Sequence, residues 1–277
     1  MLHHYADVNG IQLHYVTEGS GKLILFLHGF PEFWYAWKRQ IAEFGQDYHA
    51  VAPDLRGYNL SSRPAEVEQY TIPVLVEDVR ALIEHLGHDR CVLVGHDWGG
   101  VVAWHFALTH PEYLEKLVII NAPHPRIMSR ELKENRRQRA ASQYMIRFRS
   151  PETEAQLAAN DYAALQNTVL TEGLARGYMT EEDRAAYLDA WAQPGALTGG
   201  LNYYRAMGGV EHPSDVVQVP TLVIWGEQDT YLLTGNLDGL ETVVPNLTLK
   251  RVPDATHWIV HEQPELVNST IRAFVEQ

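Results

Sequence analysis

The segment Cys91-Val92-Leu93-Val94-Gly95-His96-Asp97-Trp98-Gly99-Gly100 decides the fold of this chain. Its apolar start is typical of a strand buried on both faces of a parallel sheet, and a helical pattern follows at once. Gly95 and Gly99 permit a sharp turn between strand and helix that lifts the central side chain, Asp97, above the sheet. An aspartate that only capped the helix would need neither glycine. The segment therefore predicts a nucleophile elbow whose nucleophile is a carboxylate.

Strand and helix patterns alternate on both sides of this segment. Asn9-Gly10 marks a tight hairpin turn within the first strand-like stretch, Tyr5 to Thr17. Strand and helix in alternation predict an α/β fold on a doubly wound, mostly parallel sheet with right-handed crossovers. The other predicted strands are Lys22 to Leu27, His49 to Ala52, Leu117 to Ile120, Thr221 to Trp225 and Leu247 to Val252. The predicted helices are Pro31 to Glu43, Pro73 to Leu86, Gly99 to Thr109 and Pro264 to Phe274.

The alternation stops between Pro125 and Pro213, where the strand signal largely vanishes. We interpret residues 125–213 as a helical cap inserted between two sheet strands, and residues 1–124 and 214–277 as the core domain. Such a cap would cover the carboxyl ends of the strands, where open α/β sheets bind ligands. The predicted cap helices are Glu131 to Phe148, Ala155 to Leu170 and Glu181 to Trp191.

Composition narrows the classes of partner and compartment. The formal net charge of −13 argues against nucleic acid or an anionic membrane as a partner. The single cysteine, Cys91, cannot form an internal disulfide, and no apolar run approaches the ~18 residues of a membrane span. The N-terminus carries no signal-peptide pattern, so we expect a cytoplasmic protein. His3, His4 and His28 lack zinc-site spacing, and we expect no metal.

A second loop, His28-Gly29-Phe30-Pro31, follows the first predicted parallel strand. A loop in that place can aim the backbone N–H of Phe30 at the space above Asp97. Together with the N–H of Trp98 it would form an oxyanion hole, which stabilises the negatively charged oxygen of an acyl-transfer intermediate. The alternative is a plain turn before a helix.

An acid and a histidine complete the predicted site. Asp229 follows the strand Thr221 to Trp225, and His257 lies in the loop before the last helix. Nucleophile, acid and histidine thus follow one another in the order that sites with this elbow use. Asp229 would orient His257, which would act as general base. Glu227 is the alternative acid, and Asp229 is favoured because it lies further beyond the strand end.

With these motifs the chain resembles, over essentially its whole length, the soluble epoxide hydrolase branch of the α/β-hydrolase superfamily. The resemblance implies an α/β-hydrolase fold and a hydrolase that needs no cofactor. The motifs that carry it are His28-Gly29-Phe30-Pro31, Gly95-His96-Asp97-Trp98-Gly99-Gly100, Gly226-Glu227-Gln228-Asp229 and Asp254-Ala255-Thr256-His257-Trp258.

The resemblance also implies two functional tyrosines in the cap. Leu201-Asn202-Tyr203-Tyr204-Arg205 is similar to the second cap motif of that branch and implies Tyr204, with Tyr203 as the alternative register. Gln143-Tyr144-Met145 is similar to the first motif and implies Tyr144. We expect the remaining pocket residues to set substrate preference, and they are Met145, Phe148, Met207, Trp34 and Trp37.

An aspartate nucleophile favours the same reaction class on chemical grounds. A carboxylate that attacks an acyl group gives a mixed anhydride, which is a poor intermediate. A carboxylate that attacks a saturated carbon gives an ordinary ester, which activated water can cleave. An epoxide oxygen leaves as an alkoxide and needs a proton donor, and two phenols meet that need. We therefore expect a small epoxide and water as the reactants, and a diol as the product.

Other functions remain as alternatives. Haloalkane dehalogenases use the same nucleophile and keep an indole where Trp98 stands, but usually have asparagine where Phe30 stands. Fluoroacetate dehalogenases have arginine directly after the nucleophile, and Trp98 occupies that place here. A non-catalytic ligand receptor is the alternative from another class, whereas a serine esterase lacks its serine. The cap is a common contact surface in such folds, which leaves a homodimer open.

Overall fold

The computed structural model describes residues 1–212 and 214–277, so the predicted cap boundary at Pro213 lies outside the described residues. The strands are β1 (Leu2–Val8), β2 (Ile11–Glu18), β3 (Leu23–Leu27), β4 (His49–Pro53), β5 (Cys91–His96), β6 (Leu114–Ile120), β7 (Thr221–Gly226) and β8 (Leu247–Val252). They form one eight-stranded sheet in the order β1-β2-β4-β3-β5-β6-β7-β8. β2 pairs antiparallel with β1 and with β4, and the other neighbours pair in parallel. The predicted α/β fold is confirmed.

Helices cover the sheet and fill the stretch between β6 and β7. The core helices are α1 (Lys38–Phe44), α2 (Ile72–His85), α3 (Trp98–Thr109), α11 (Ile259–Glu262) and α12 (Pro264–Val275). The helices between β6 and β7 are α4 (Pro125–Glu134), α5 (Arg136–Ala141), α6 (Gln143–Arg147), α7 (Thr153–Val169), α8 (Thr171–Arg176), α9 (Glu181–Trp191) and α10 (Ala196–Arg205). The backbone of α7 leaves helical geometry at residues 159–162. The division of the chain into core and cap domains stays a prediction.

The middle strands are buried because their sequences are apolar on both faces. Every residue of β3 and of β5 is buried. β5 lies between β3 and β6, so its carboxyl end opens at the centre of the sheet edge. Burial of apolar surface contributes roughly 25 cal/mol per Å², and these strands therefore anchor the fold. Asp97 follows directly on a strand that is buried along its whole length.

The predicted helix from Pro31 to Glu43 is wrong in its first half. The N–H of Glu32 donates to the carbonyl oxygen of Gly29 at 3.0 Å, which closes a turn. Phe33 is extended, with a φ of −154°. A short 3-10 turn (Trp34–Trp37) then leads into α1. The proline that suggested a helix start belongs to this turn, so the aromatic residues behind it point elsewhere than predicted.

The predicted helix from Glu131 to Phe148 is three helices, because Asn135 and Ser142 interrupt it. Asn135 has an extended backbone, and its side-chain oxygen accepts from the N–H groups of Arg137 and Gln138. Asparagine is a preferred helix N-cap, since its side chain satisfies backbone donors that a helix start leaves unpaired. The break turns the chain and brings α6 over the carboxyl end of the sheet.

Helix α10 has no counterpart among the predicted helices. Its interior contains Gly199 and Gly200, which weaken a helical pattern. A side chain at Gly199 would collide with the backbone of Gly57, so the glycine permits close packing between this helix and the loop after β4. The described residues include no helix that is both long and apolar enough to cross a membrane. The cytoplasmic location and the homodimer stay predictions.

Candidate active site

The turn between β5 and α3 holds Asp97 in a strained backbone conformation. Its φ is 49° and its ψ is −121°, a region that residues other than glycine rarely adopt. The turn fits only because its neighbours are small. A side chain at Gly95 would overlap Gly99, and a side chain at Gly29 would overlap Asp97 itself. The geometry of the predicted elbow is thus present, with the carboxylate above the sheet edge.

One oxygen of the Asp97 carboxylate is held by a backbone donor. The N–H of Phe30 donates to Oδ1 of Asp97 at 2.8 Å. Trp98 is the first residue of α3, where helix N–H groups lack intrahelical partners and the helix dipole is positive. Both predicted oxyanion-hole residues therefore border Asp97. A negative charge on Oδ1 is stabilised at this position.

The other oxygen of Asp97 faces the predicted base. Nε2 of His257 lies 3.6 Å from Oδ2 of Asp97. Nδ1 of His257 lies 2.7 Å from Oδ2 of Asp229. Oδ1 of Asp229 accepts from the N–H groups of Tyr231 at 2.7 Å and Leu232 at 2.9 Å. The structure thus places the three predicted residues in one row, in which His257 is hydrogen-bonded to Asp229 and lies close to Asp97.

Asn121 belongs to this row and was missed from the sequence. Its Nδ2 donates to Oδ2 of Asp229 at 2.8 Å, and its Oδ1 accepts from the N–H of Gly226 at 2.8 Å. It follows β6 directly, beside the strand that carries Asp229. A buried polar residue at the carboxyl end of a strand next to the acid was the available signal.

Electrostatics favour an ion pair between His257 and its neighbours. Burial lowers the pKa of His257, but the Asp229 carboxylate, its hydrogen bond and the Asp97 carboxylate outweigh burial and raise the pKa to about 9. Burial raises the pKa of Asp229, yet the charge of His257 and its hydrogen bonds hold that pKa below its usual value. At neutral pH the resting site therefore contains an imidazolium between two carboxylates.

Two tyrosines from the helices between β6 and β7 lie over Asp97. Tyr144 comes from α6 and Tyr204 from α10, and their ring centroids are 6.1 Å apart. Burial and the nearby Asp97 charge raise both tyrosine pKa values well above the usual value. Both phenols therefore stay protonated at neutral pH. Tyr203 points elsewhere, because its hydroxyl donates to the carbonyl oxygen of Arg56 at 2.9 Å.

Two cavities meet at Asp97 and the two tyrosines. The larger chamber has a volume of about 700 Å³ and is lined by Met145 and Met207. The smaller chamber has a volume of about 250 Å³ and is lined by Phe148, His257 and Trp258. The residues that line both are Asp97, Tyr144 and Tyr204. Three of the five predicted pocket residues therefore line a chamber next to Asp97.

Residues 22–264 match the family described as alpha/beta hydrolase fold. The chain belongs to this family. It is 42% identical to the AB hydrolase superfamily protein YfhM of Bacillus subtilis, over 98% of this chain and 97% of that protein. It is 38% identical to epoxide hydrolase 4 of Mus musculus, over 97% of this chain and 77% of that protein.

A solved structure extends the likeness to three dimensions. The crystal structure of an epoxide hydrolase from Bacillus megaterium in complex with an inhibitor superposes with a TM-score of 0.95. The two chains are 41% identical, and the match covers 99% of this chain and 100% of that one. The predicted place of this α/β hydrolase in the epoxide hydrolase branch is confirmed.

The predicted placement of Trp34 and Trp37 in the pocket of this α/β hydrolase is wrong. Trp37 is fully buried in the core, with its ring 5.2 Å from that of Phe26. The backbone N–H of Trp34 donates to Asp54, and its ring packs against that of His3. The placements of Trp34 and Trp37 both result from the turn that replaces the start of the predicted helix. Neither residue lines the chambers beside Asp97.

Other motif residues have supporting roles. Nε2 of the buried His28 accepts from the N–H of Leu55 at 3.0 Å, which ties the Phe30 loop to the loop after β4. Pro31 offers its carbonyl oxygen to the indole N–H of Trp191 at 2.6 Å. The alternative acid, Glu227, pairs with Arg251 instead of His257. Asp229 is therefore the acid that contacts the base.

A buried polar network behind His257 also escaped sequence reasoning. Oε1 of Glu32 accepts from the hydroxyl of Tyr187 at 2.7 Å and contacts the ring of His261. His96 lies 3.4 Å from the other oxygen of Glu32 and donates from Nε2 to the carbonyl oxygen of His257 at 2.8 Å. The network holds the backbone that carries His257. Within residues 1–212 and 214–277, no three His, Cys, Asp or Glu side chains are arranged to hold a metal ion.

Proposed function

We propose that this chain hydrolyses epoxides to vicinal diols through a covalent ester on Asp97. The observation that carries the proposal is an elbow carboxylate under two protonated phenols, those of Tyr144 and Tyr204. The relatives named epoxide hydrolases support the same reaction. We infer that residues 125–213 form the cap of this site, because both phenols and part of each chamber wall come from that stretch.

In the first step Oδ2 of Asp97 attacks an epoxide carbon from the side opposite the ring oxygen. A carbon–oxygen bond to Asp97 forms and the ring carbon–oxygen bond breaks. The alkoxide that leaves takes a proton from one of the two phenols, while the other donates a hydrogen bond. The hydrogen bond from the N–H of Phe30 to Oδ1 supports the choice of Oδ2 as the attacking oxygen, because Oδ2 has no such backbone donor.

Ester formation then prepares His257 for its own role. Alkylation removes the negative charge of Asp97, which is one of the charges that raise the pKa of His257. The imidazolium can therefore return its proton to the tyrosinate. Neutral His257 next takes a proton from water, which attacks the ester carbonyl. The base is thus neutral only once there is an ester to cleave.

In the second step the carbonyl oxygen becomes an oxyanion on Oδ1. The N–H groups of Phe30 and Trp98 stabilise that charge. Collapse of the intermediate breaks the bond to the diol oxygen, which takes the proton from His257. Asp97 is then left with one oxygen from water, and the new carboxylic acid gives its proton back to His257. Protons and bonds balance over the cycle.

The test is a single turnover in ¹⁸O-water with enzyme in excess over styrene oxide. We expect the first diol to carry no label, because its new oxygen comes from Asp97. Labelled diol in the first turnover would mean that water attacks the epoxide directly. A parallel run with 1-bromobutane tests the dehalogenase alternative. Bromide release from 1-bromobutane without diol formation from styrene oxide would identify the protein as a dehalogenase and contradict the proposal.

A further inference from the structure

The larger chamber runs along one face of helix α3. Asp97, Val101 and His105 all line it, and they follow one another at four-residue spacing. Residues at this spacing lie on the same side of a helix. Eight residues of helix rise by about 12 Å, so His105 lies about that far along the chamber from the nucleophile. A substrate attached to Asp97 can therefore extend along α3 towards His105.

A pair of imidazoles contributes to the wall at this far end. Nδ1 of His105 lies 2.6 Å from Nε2 of His212, which follows α10. One hydrogen is shared between these two nitrogens, so Nε2 of His105 and Nδ1 of His212 remain for other partners. Within the described chain, Nδ1 of His212 is buried without a hydrogen-bond partner. Buried polar atoms normally have one, and both residues line the chamber through other atoms.

Both rings are neutral at physiological pH. Burial and the neighbouring His212 lower the pKa of His105 to about 3, and burial lowers the pKa of His212. Two neutral imidazoles that share a hydrogen can exchange tautomers together. Each free nitrogen is a donor in one tautomeric state and an acceptor in the other. A hydroxyl group, which donates and accepts, suits either state.

The charges around this end cancel. Nη1 of Arg126 lies 3.8 Å from Oδ2 of Asp215, and both residues line the chamber near the imidazoles. Arg130 pairs with Glu131 at 3.0 Å. Lys133 and Glu134 add one charge of each sign to the wall. A neutral polar group therefore fits better than an anion.

We propose that the larger chamber binds extended epoxides whose far end carries a neutral hydrogen-bonding group such as a hydroxyl, recognised by the His105–His212 pair. This inference rests on the proposed epoxide hydrolysis and specifies its substrates. The group lies about 12 Å from the attacked carbon, as the helix rise requires. The competing interpretation is that the pair only fastens the segment after α10 to α3.

Two matched pairs of epoxides separate these interpretations. The long pair is 9,10-epoxydecan-1-ol and 1,2-epoxyundecane, in which a methyl group replaces the hydroxyl. The short pair is 5,6-epoxyhexan-1-ol and 1,2-epoxyheptane, in which the hydroxyl cannot reach the imidazoles. In the wild type we expect the alcohol-to-alkane ratio of kcat/KM to be about three- to tenfold higher for the long pair, the range that one hydrogen bond supplies.

His105→Asn is the decisive variant. The asparagine amide replaces Nδ1 and can keep the bond to His212, but it removes Nε2. We expect the ratio for the long pair to fall to that of the short pair, whereas His85→Asn at the exposed end of α2 leaves the wild-type ratios.

Equal ratios for the two pairs in the wild type, or an unchanged ratio in His105→Asn, would overturn the inference and leave epoxide hydrolysis intact. Absence of turnover with all four epoxides would overturn both proposals together.

Discussion

The two halves of the site are held in different ways. On the sheet side, Asp229 is fixed by the N–H groups of Tyr231 and Leu232 and by the amide of Asn121. On the helical side, Tyr204 is surrounded by rings, with centroids 5.2 Å away at Trp98 and 5.1 Å away at Phe148. Hydrogen bonds constrain direction as well as distance, whereas ring packing mainly fills space. The sheet side therefore fixes the direction of the contacts between Asp229 and His257, whereas the helical side positions Tyr204 by packing and sets the shape of the chambers.

Removal of the Asp97 carboxylate, the proposed nucleophile, should have the largest effect on activity. Asp97→Ala should lower diol formation by about 10⁴-fold or more, as loss of a covalent nucleophile does in other enzymes. The measurement is diol release from styrene oxide. Glu227→Ala is the control, because that carboxylate pairs with Arg251. A similar loss in both variants would remove Asp97 from its proposed role.

Trp37 tests whether the core and the chambers are separate. Trp37→Ala should lower the free energy of unfolding by about 3–5 kcal/mol, because it removes a fully buried ring from the core. Urea denaturation measures this change. The KM of the folded fraction for styrene oxide should stay as in the wild type. A changed KM with unchanged stability would instead support the sequence-based prediction that Trp37 lines the pocket.

Tyr203 and Tyr204 are neighbours on α10, and their variants compare a phenol beside Asp97 with one that points elsewhere. Tyr204→Phe should slow ester formation by about tenfold to 10²-fold, because one of two proton donors is lost. Tyr203→Phe loses only the bond to the carbonyl oxygen of Arg56 and should leave that rate unchanged. Rapid-quench detection of the ester measures both rates. Equal effects would mean that packing of α10, and not a phenol at Asp97, carries the result.

The smallest predicted effect concerns charge within the site. In Asp97→Asn the pKa of His257 should fall below its value of about 9, because one of the negative charges that raise it is gone. Titration of the imidazole signals by NMR measures the shift. Asp47→Asn is the control, since that carboxylate pairs with Arg272 at the surface. An unchanged pKa in Asp97→Asn would contradict the proposed timing of the base.

Local signals and distant contacts account for what the sequence could and could not predict. The elbow was predictable because its strand, its glycines and Asp97 are consecutive. The prediction for Trp37 was wrong because the chain forms a turn after Gly29 instead of a helix, which changes the direction in which the following side chains point. Asn121 bonds to Asp229 across more than a hundred residues, and His105 meets His212 in the same way. The position of Asn121 directly after a strand was a local signal, but no local pattern shows which distant residue each of these side chains contacts.

The hydrogen bond from Phe30 to Asp97 has a consequence for isotopes. It makes the two carboxylate oxygens unequal, since one rests on the backbone donor while the other meets the substrate. If Asp97 reacts as proposed, each cycle hands the outer oxygen to the diol and replaces it from water, while the inner oxygen stays. After many turnovers in ¹⁸O-water the carboxylate would hold one heavy oxygen and one that dates from its biosynthesis. The isotope content of one carboxylate oxygen would thus report the isotopic composition of the water present during the last turnover.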